Sequence, residues 1–73
     1  MIRYIIVESS NEEVGPSITG VHKTEKSAKL HMVTIYENYQ KAKHQITMNT
    51  DTCFTVTKDG RTTTFAMHGT KFD

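Results

Sequence analysis

The sequence contains one cysteine and one proline among 73 residues, and its formal net charge is only +1. A single cysteine, Cys53, allows no internal disulfide and no cysteine-based zinc site of the usual kind, and it fits a reducing compartment. A nearly balanced charge argues neither for nucleic acid nor for a membrane surface as a partner. The apolar run at Ile2–Val7 is too short to span a bilayer and lacks the features of a secretion signal. We therefore expect one domain over residues 1–73, located in the cytoplasm.

Motifs for catalysis and for cofactor binding are also lacking. The four glycines are far apart, so they form no phosphate-binding loop, and no serine or cysteine has a histidine and an acid in a recognisable pattern. The histidines lack metal-ligand spacing, and we expect ordinary solvent-facing side chains at His22, His31, His44 and His68. The sequence thus predicts no enzyme, no metal and no cofactor.

The longest apolar stripe predicts a helix over Thr24–Lys43. Thr24 is a suitable N-cap, and Glu25 in the first turn complements the helix dipole. Leu30 points away from the stripe, either as an ordinary exposed leucine or as a contact for a partner. The stripe itself has spacings of three and four residues and consists of Ala28, Met32, Ile35, Tyr39, Ala42 and Ile46.

Two strands are predicted before this helix. Residues Ile2–Val7 are predicted to form a strand with apolar side chains on both faces, Ile5 and Val7 on one face and Ile6 on the other. A polar connection over Ser9–Ser17 then leads to a short antiparallel strand at Ile18–His22. With Glu8, this connection is the most acidic part of the chain, either as a solvated loop or as a surface that imitates phosphate.

The clearest local signal is a hairpin about Asp59-Gly60, a dipeptide that tolerates the positive φ angles of a type I′ turn. A two-residue turn fixes the register, with Lys58 opposite Arg61, Val56 opposite Thr63 and Phe54 opposite Phe65. Phe54, Val56, Phe65 and Met67 then share a face that must take the helix. Residues Thr47–Asp51 are predicted as a loop and His68–Asp73 as a frayed tail.

These elements predict an α+β fold, a two-layer sandwich of one helix on a four-stranded antiparallel sheet in the order ββαββ. The order of the strands within the sheet stays open, because hairpin pairing fixes neighbours only. The second face of the sheet is uncovered and holds Ile5 and Val7 beside threonine rows from the hairpin. A lone chain of this size has little reason to maintain such a face.

The segment Gly20-Val21-His22-Lys23-Thr24-Glu25-Lys26-Ser27-Ala28 resembles a pattern found in many short bacterial and phage domains. In those domains, Gly-Val-aromatic, a Thr or Ser cap, an acid and an alanine lead into a helix, and His22 stands here in place of the aromatic. The resemblance covers about the first half of the chain and implies the ββαββ architecture.

The open face and the missing catalytic motifs lead us to expect a non-catalytic protein-binding module that docks on a partner protein or forms a homodimer. Its small size and its lack of catalytic motifs suggest a phage or mobile-element inhibitor that occludes a site on a host enzyme, like anti-CRISPR proteins. The alternative is a nucleic-acid-binding accessory protein that uses the lysine-rich helix and the cations of the hairpin tip. The predicted partner-binding residues are Ile5, Val7, Glu8, Glu12, Glu13, Thr55, Thr57, Lys58, Arg61, Thr62 and Thr64.

Overall fold

A computed structural model of the chain describes residues 1–11 and 15–71, which form one helix and five strands. The sheet is antiparallel throughout, with the strand order β2-β1-β5-β4-β3. The α+β class is therefore confirmed, and the sheet has one strand more than the sequence predicted. The elements are β1 Ile2–Ser10, β2 Ser17–His22, α1 Glu25–Lys41, β3 Gln45–Thr50, β4 Cys53–Lys58 and β5 Arg61–Lys71.

The additional strand is β3, so the predicted loop over Thr47–Asp51 is wrong. Gln45–Thr50 pairs antiparallel with β4, placing Ile46 opposite Val56 and Met48 opposite Phe54. Ile46 and Met48 are the only large apolar side chains of this strand, which is why its sequence resembles a polar connection. An edge strand needs less apolar patterning than a central one, because only one side of it is paired.

The predicted frayed tail is wrong for the residues that the structure describes. β5 continues to Lys71, which pairs with Ile2, and His68 lies opposite Ile5. The neighbouring strand β1 is nine residues long, and each of its residues from Ile2 to Ser10 pairs with a residue of β5, so β5 has a partner up to Lys71. Phe72 and Asp73 lie outside the described residues.

The helix begins as predicted. Thr24 adopts an extended backbone and its Oγ1 accepts a hydrogen bond from the Ser27 N–H at 3.1 Å. The helix ends at Lys41, one turn or less before the predicted end, and Lys43 takes a left-handed φ of 62°. Lys43 thus occupies the conformation that glycine more often adopts after a helix, and His44 lies beyond the helix.

The core lies between α1 and the middle of the sheet. Phe54 and Phe65 stack with ring centroids 5.3 Å apart, and each is 2 % exposed. Ile6 from β1 is fully buried beside them, which confirms that β1 and the hairpin share a helix-facing side. The buried residues of α1, which are Ala28, Met32 and Ile35, complete this core on the helix side.

The helix crosses the sheet diagonally, because it connects edge strand β2 to the opposite edge strand β3. A helix with its side chains is about 10–12 Å wide. Five strands spaced about 4.8 Å apart extend over roughly 19 Å between the outer strand axes. One helix therefore leaves two opposite corners of its own side of the sheet uncovered, and these corners have different chemistry.

Candidate functional site

The face of the sheet that points away from α1 carries an apolar cluster at its β1–β2 end. Ile5 pairs with Val21, and Val7 pairs with Ile18, so the four side chains lie side by side. Ile18 is 60 % exposed and Val21 is 53 % exposed, while Ile5 and Val7 are half-buried. We call these four residues the apolar quadrant.

Threonines dominate the β4–β5 hairpin on this open face. The Thr55 and Thr64 hydroxyls form a hydrogen bond with their Oγ1 atoms 3.2 Å apart. The Asn49 Nδ2 group donates a hydrogen bond to Thr55 Oγ1 at 3.0 Å. Thr57 and Thr62 form the next pair toward the turn. Among the described strand residues of this face, Arg3 is the only one with a formal charge at neutral pH. The open face is therefore uncharged over most of its area, with an apolar end.

The structure separates the predicted partner-binding residues into two groups. The open face carries Ile5, Val7, Thr55, Thr57, Thr62 and Thr64, as the alternation predicted. Glu8, Lys58 and Arg61 lie on the opposite, helix-facing side. Glu8 belongs to β1, where it pairs with Phe65, and is therefore not part of an acidic loop. Glu12 and Glu13 lie outside the described residues.

The first uncovered corner of the helix side is a small polar pocket of about 190 Å³. Glu8, Lys58 and Arg61 line it together with Tyr39 and His44. Tyr39 contacts the His44 ring edge-on with centroids 4.9 Å apart, and the buried His44 Nδ1 atom has no hydrogen-bond partner within the described part of the chain. The cations of the hairpin tip, Lys58 and Arg61, thus share their corner with the Glu8 carboxylate. This negative charge repels phosphate and weakens its binding there.

The second corner is an open apolar groove of about 880 Å³, which we call the Met48 groove. Lys29 and Asp51 stand at its two sides. The pKa of Lys29 is raised above its ordinary value of 10.5, first by the hydrogen bond to Glu25 at 2.9 Å, then by the charge of Glu25, with a smaller attraction from Asp51. The sequence did not reveal this groove, because its outer wall belongs to β3. Its apolar lining consists of Met32, Val33, Tyr36, Met48, Phe54 and Met67.

Two of the histidines contact each other, contrary to the expectation of ordinary solvent-facing side chains. His22 Nε2 lies 2.9 Å from His31 Nδ1, and His22 Nδ1 lies 2.7 Å from Ser27 Oγ. His44 is half-buried against Tyr39, and His68 is exposed as expected. Within residues 1–11 and 15–71, no three His, Cys, Asp or Glu side chains are placed to hold a metal ion together.

No protein-family model, no curated protein and no solved structure matches the chain. In the part of the chain that the structure describes, no helix has the length and apolar character needed to cross a membrane.

Proposed function

We propose that this chain is a non-catalytic protein-binding module of the cytoplasm that docks on another protein through the open face. The observation that supports this proposal is the apolar quadrant, where Ile18 and Val21 remain more than half exposed beside Ile5 and Val7. Burying apolar surface gains about 25 cal/mol per Å², so such side chains serve as anchors in an interface. The partner class suggested by the sequence, a host enzyme that is inhibited by occlusion, is part of this proposal.

The threonine rows suit the surrounding contact area. Short hydroxyl side chains present a flat surface that another backbone or sheet can approach closely, and each keeps a hydrogen-bonding group for the partner. Because this face holds so little charge, the partner surface should be neutral or slightly acidic opposite Arg3.

Nucleic acid is the alternative partner that the sequence suggests. The described strand residues of the open face include no Phe, Tyr or Trp side chain on which a base could stack, and the ring of His68, opposite Ile5, is the one aromatic group among them. Lys29 is already paired with Glu25, and Lys58 and Arg61 face a corner that contains Glu8. These contacts favour a protein partner over a nucleic-acid backbone.

The experiment compares two arginine substitutions of matched exposure. Ile18→Arg changes the apolar quadrant, whereas Leu30→Arg changes the outer face of α1, where the leucine is also 60 % exposed. Protein captured from a nuclease-treated lysate of the source organism is identified, purified and titrated against wild type and both variants by calorimetry. Loss of an interface anchor typically weakens binding by about thirtyfold or more.

We expect Ile18→Arg to cause such a loss and Leu30→Arg to leave the dissociation constant within about threefold of wild type. A reversed pattern would transfer the binding surface to the helix and reject the open face. Capture that disappears with nuclease and weakens steeply with salt would support the nucleic-acid alternative instead.

A further inference from the structure

Among residues 1–11 and 15–71, strand β3 has a neighbour on one side only, and its sequence gives the other edge little protection against pairing. Residues Gln45–Thr50 contain no charged side chain and no proline, the usual means by which edge strands avoid association. Met48 is 54 % exposed on this edge. Both edges carry a register irregularity. In β2, the opposite edge, it falls in the middle of the strand, where Ile6 pairs with Gly20 and Val7 with Ile18, whereas in β3 it follows Met48 and leaves Gln45–Met48 regular. β3 is therefore the edge better suited to accept another strand.

The backbone groups that point outward from β3 follow from the hairpin turn. A two-residue turn makes Lys58 and Arg61 a hydrogen-bonded pair, and such pairs alternate with non-hydrogen-bonded pairs along the ladder. The Met67 N–H accordingly points toward β4, where it donates to the Thr52 carbonyl at 2.8 Å. Even-numbered residues of β4 therefore bond to β5, and its odd-numbered residues bond to β3.

The same alternation continues across β3. Thr55 bonds toward β3 and lies opposite Thr47, so the N–H and C=O groups of Thr47 are used within the sheet. Ile46 and Met48 must then direct their N–H and C=O groups outward. These are the groups that a further strand would pair with.

We propose that two copies of this chain associate through β3, antiparallel about a two-fold axis at Thr47, to form one continuous sheet. Ile46 of each copy then pairs with Met48 of the partner subunit, and both residues use the backbone groups that point outward. Thr47 faces Thr47 of the partner subunit as a non-hydrogen-bonded pair. A two-fold interface must be self-complementary in this way, because each contact occurs twice.

The outward-pointing residues of β3 select this register. With Thr47 on the axis, Ile46 and Met48 pair with each other between the two copies and all four residues lie within the strand. An axis at Met48 would instead pair Ile46 with Thr50 of the partner subunit, beyond the register shift, and an axis at Ile46 would pair Met48 with His44 of the partner subunit, which precedes the strand. The register shift between Met48 and Thr50 also leaves Gln45–Met48 as the regular stretch, which contains Thr47.

Pairing at this edge also covers apolar surface. Met48 forms the outer wall of the Met48 groove, and Val33, which is 50 % exposed, lies across the groove on α1. A second strand beside β3 places Ile46 of the partner subunit against this wall. A second copy thus pairs the outward N–H and C=O groups of β3 and at the same time buries the exposed Met48 side chain.

The first test is sedimentation equilibrium of the purified chain, whose mass is 8.3 kDa. We expect a reversible dimer of twice this mass. Met48→Pro removes an outward N–H without removing a hydrogen bond within the sheet, because proline lacks that donor. It should raise the dimer dissociation constant about tenfold or more, since each lost bond occurs twice. Met48→Ala, the matched control, keeps the N–H and should raise it by a smaller factor.

The second test reads the register. In a Cys53→Ser background, Thr47→Cys places two thiols on a non-hydrogen-bonded pair, where Cα atoms lie about 4.5 Å apart and a disulfide is geometrically allowed. Asn49→Cys is the control, because Asn49 lies opposite Gln45 of the partner subunit and not opposite itself. Mild oxidation should link two copies through Thr47→Cys and leave Asn49→Cys largely unlinked.

Two results would overturn the proposal. The first is a monomer at all concentrations up to about 1 mM together with no excess linkage through Thr47→Cys, which would leave β3 as an edge for a different protein or for none. The second is a dimer that Met48→Pro does not weaken but Ile18→Arg does, which would place self-association on the open face. Circular dichroism of each variant confirms that its fold is retained.

Discussion

His22 and His31 share a hydrogen bond of 2.9 Å that joins edge strand β2 to helix α1. The contact is possible because Gly20 lies beneath it without a side chain. A Cβ atom at Gly20 would lie 2.7 Å from His31 Nδ1, closer than real Cβ contacts allow. Gly20 has no positive φ angle, so its role here is to leave space.

Gly20→Ala should therefore destabilise the fold by displacing the His31 ring and breaking this hydrogen bond. The expected cost is about 1 kcal/mol, the typical net contribution of one hydrogen bond. His31→Ala removes the obstructing ring, so the double variant should lose less than the sum of the two single variants. Urea unfolding of the four proteins measures this coupling, and strictly additive losses would contradict the steric explanation.

The hairpin turn gives a second prediction. Gly60 has a φ of +81°, and no atom lies within 4 Å of the position of an added Cβ, so the cost of Gly60→Ala is conformational. A left-handed conformation costs a non-glycine residue about 1–2 kcal/mol, which should appear as lost stability in thermal unfolding. Gly69→Ala is the control, because Gly69 has no positive φ and an added Cβ would make ordinary contacts of 3.5 Å or more. Equal losses for the two variants would be inconsistent with a type I′ turn.

Phe65 should be among the least replaceable residues of the chain. It is 2 % exposed, stacks on Phe54 at 5.3 Å and contacts Tyr39 at 5.5 Å. Truncating a buried phenylalanine to alanine costs about 3–5 kcal/mol. A domain of this length has a total stability of about 4–11 kcal/mol. We expect Phe65→Ala to be largely unfolded at 37 °C by circular dichroism, whereas Phe65→Leu stays folded.

The Lys29–Glu25 contact predicts a pH effect in alkaline solution. The raised pKa of Lys29 means that its stabilising contact is fully present below the ordinary value of 10.5 and is lost as the pH rises through the folded value. Glu25→Gln should lower the pKa of Lys29 in an NMR titration of its side-chain resonances. Stability at pH 7 should change little, because the pair is exposed and screened by solvent. An unchanged titration would show that the ion pair does not persist in solution.

Local sequence signals predicted the elements that depend on local chemistry. The Asp59-Gly60 turn fixed the β4–β5 register by itself, since only residues that tolerate positive φ close a two-residue hairpin. Thr24 marked the start of α1 because its hydroxyl satisfies a free N–H of the first turn. Both predictions are confirmed.

Elements that depend on a partner strand were missed. Gln45–Thr50 has little apolar alternation and becomes a strand because β4 offers an unpaired edge beside it. His68–Lys71 is ordered in the same way by β1, although its own sequence resembles a tail. The partner-binding residues were predicted as one set, with Glu8 assigned to the acidic connection. β1 extends to Ser10, so the alternation of the strand places Glu8 on the opposite side from Ile5 and Val7.

The sequence by itself therefore determined the helix, the turn, the faces of the hairpin and the existence of an open face, because these follow from the periodicity of neighbouring residues. The tertiary structure decided the order β2-β1-β5-β4-β3, the diagonal path of α1 and, through them, the Met48 groove, the polar corner and the free edge at β3. These features join residues that are distant in the chain, such as Glu8 with Arg61 and Val33 with Met48. No local pattern records this proximity, because it arises only when the strands pair in this order.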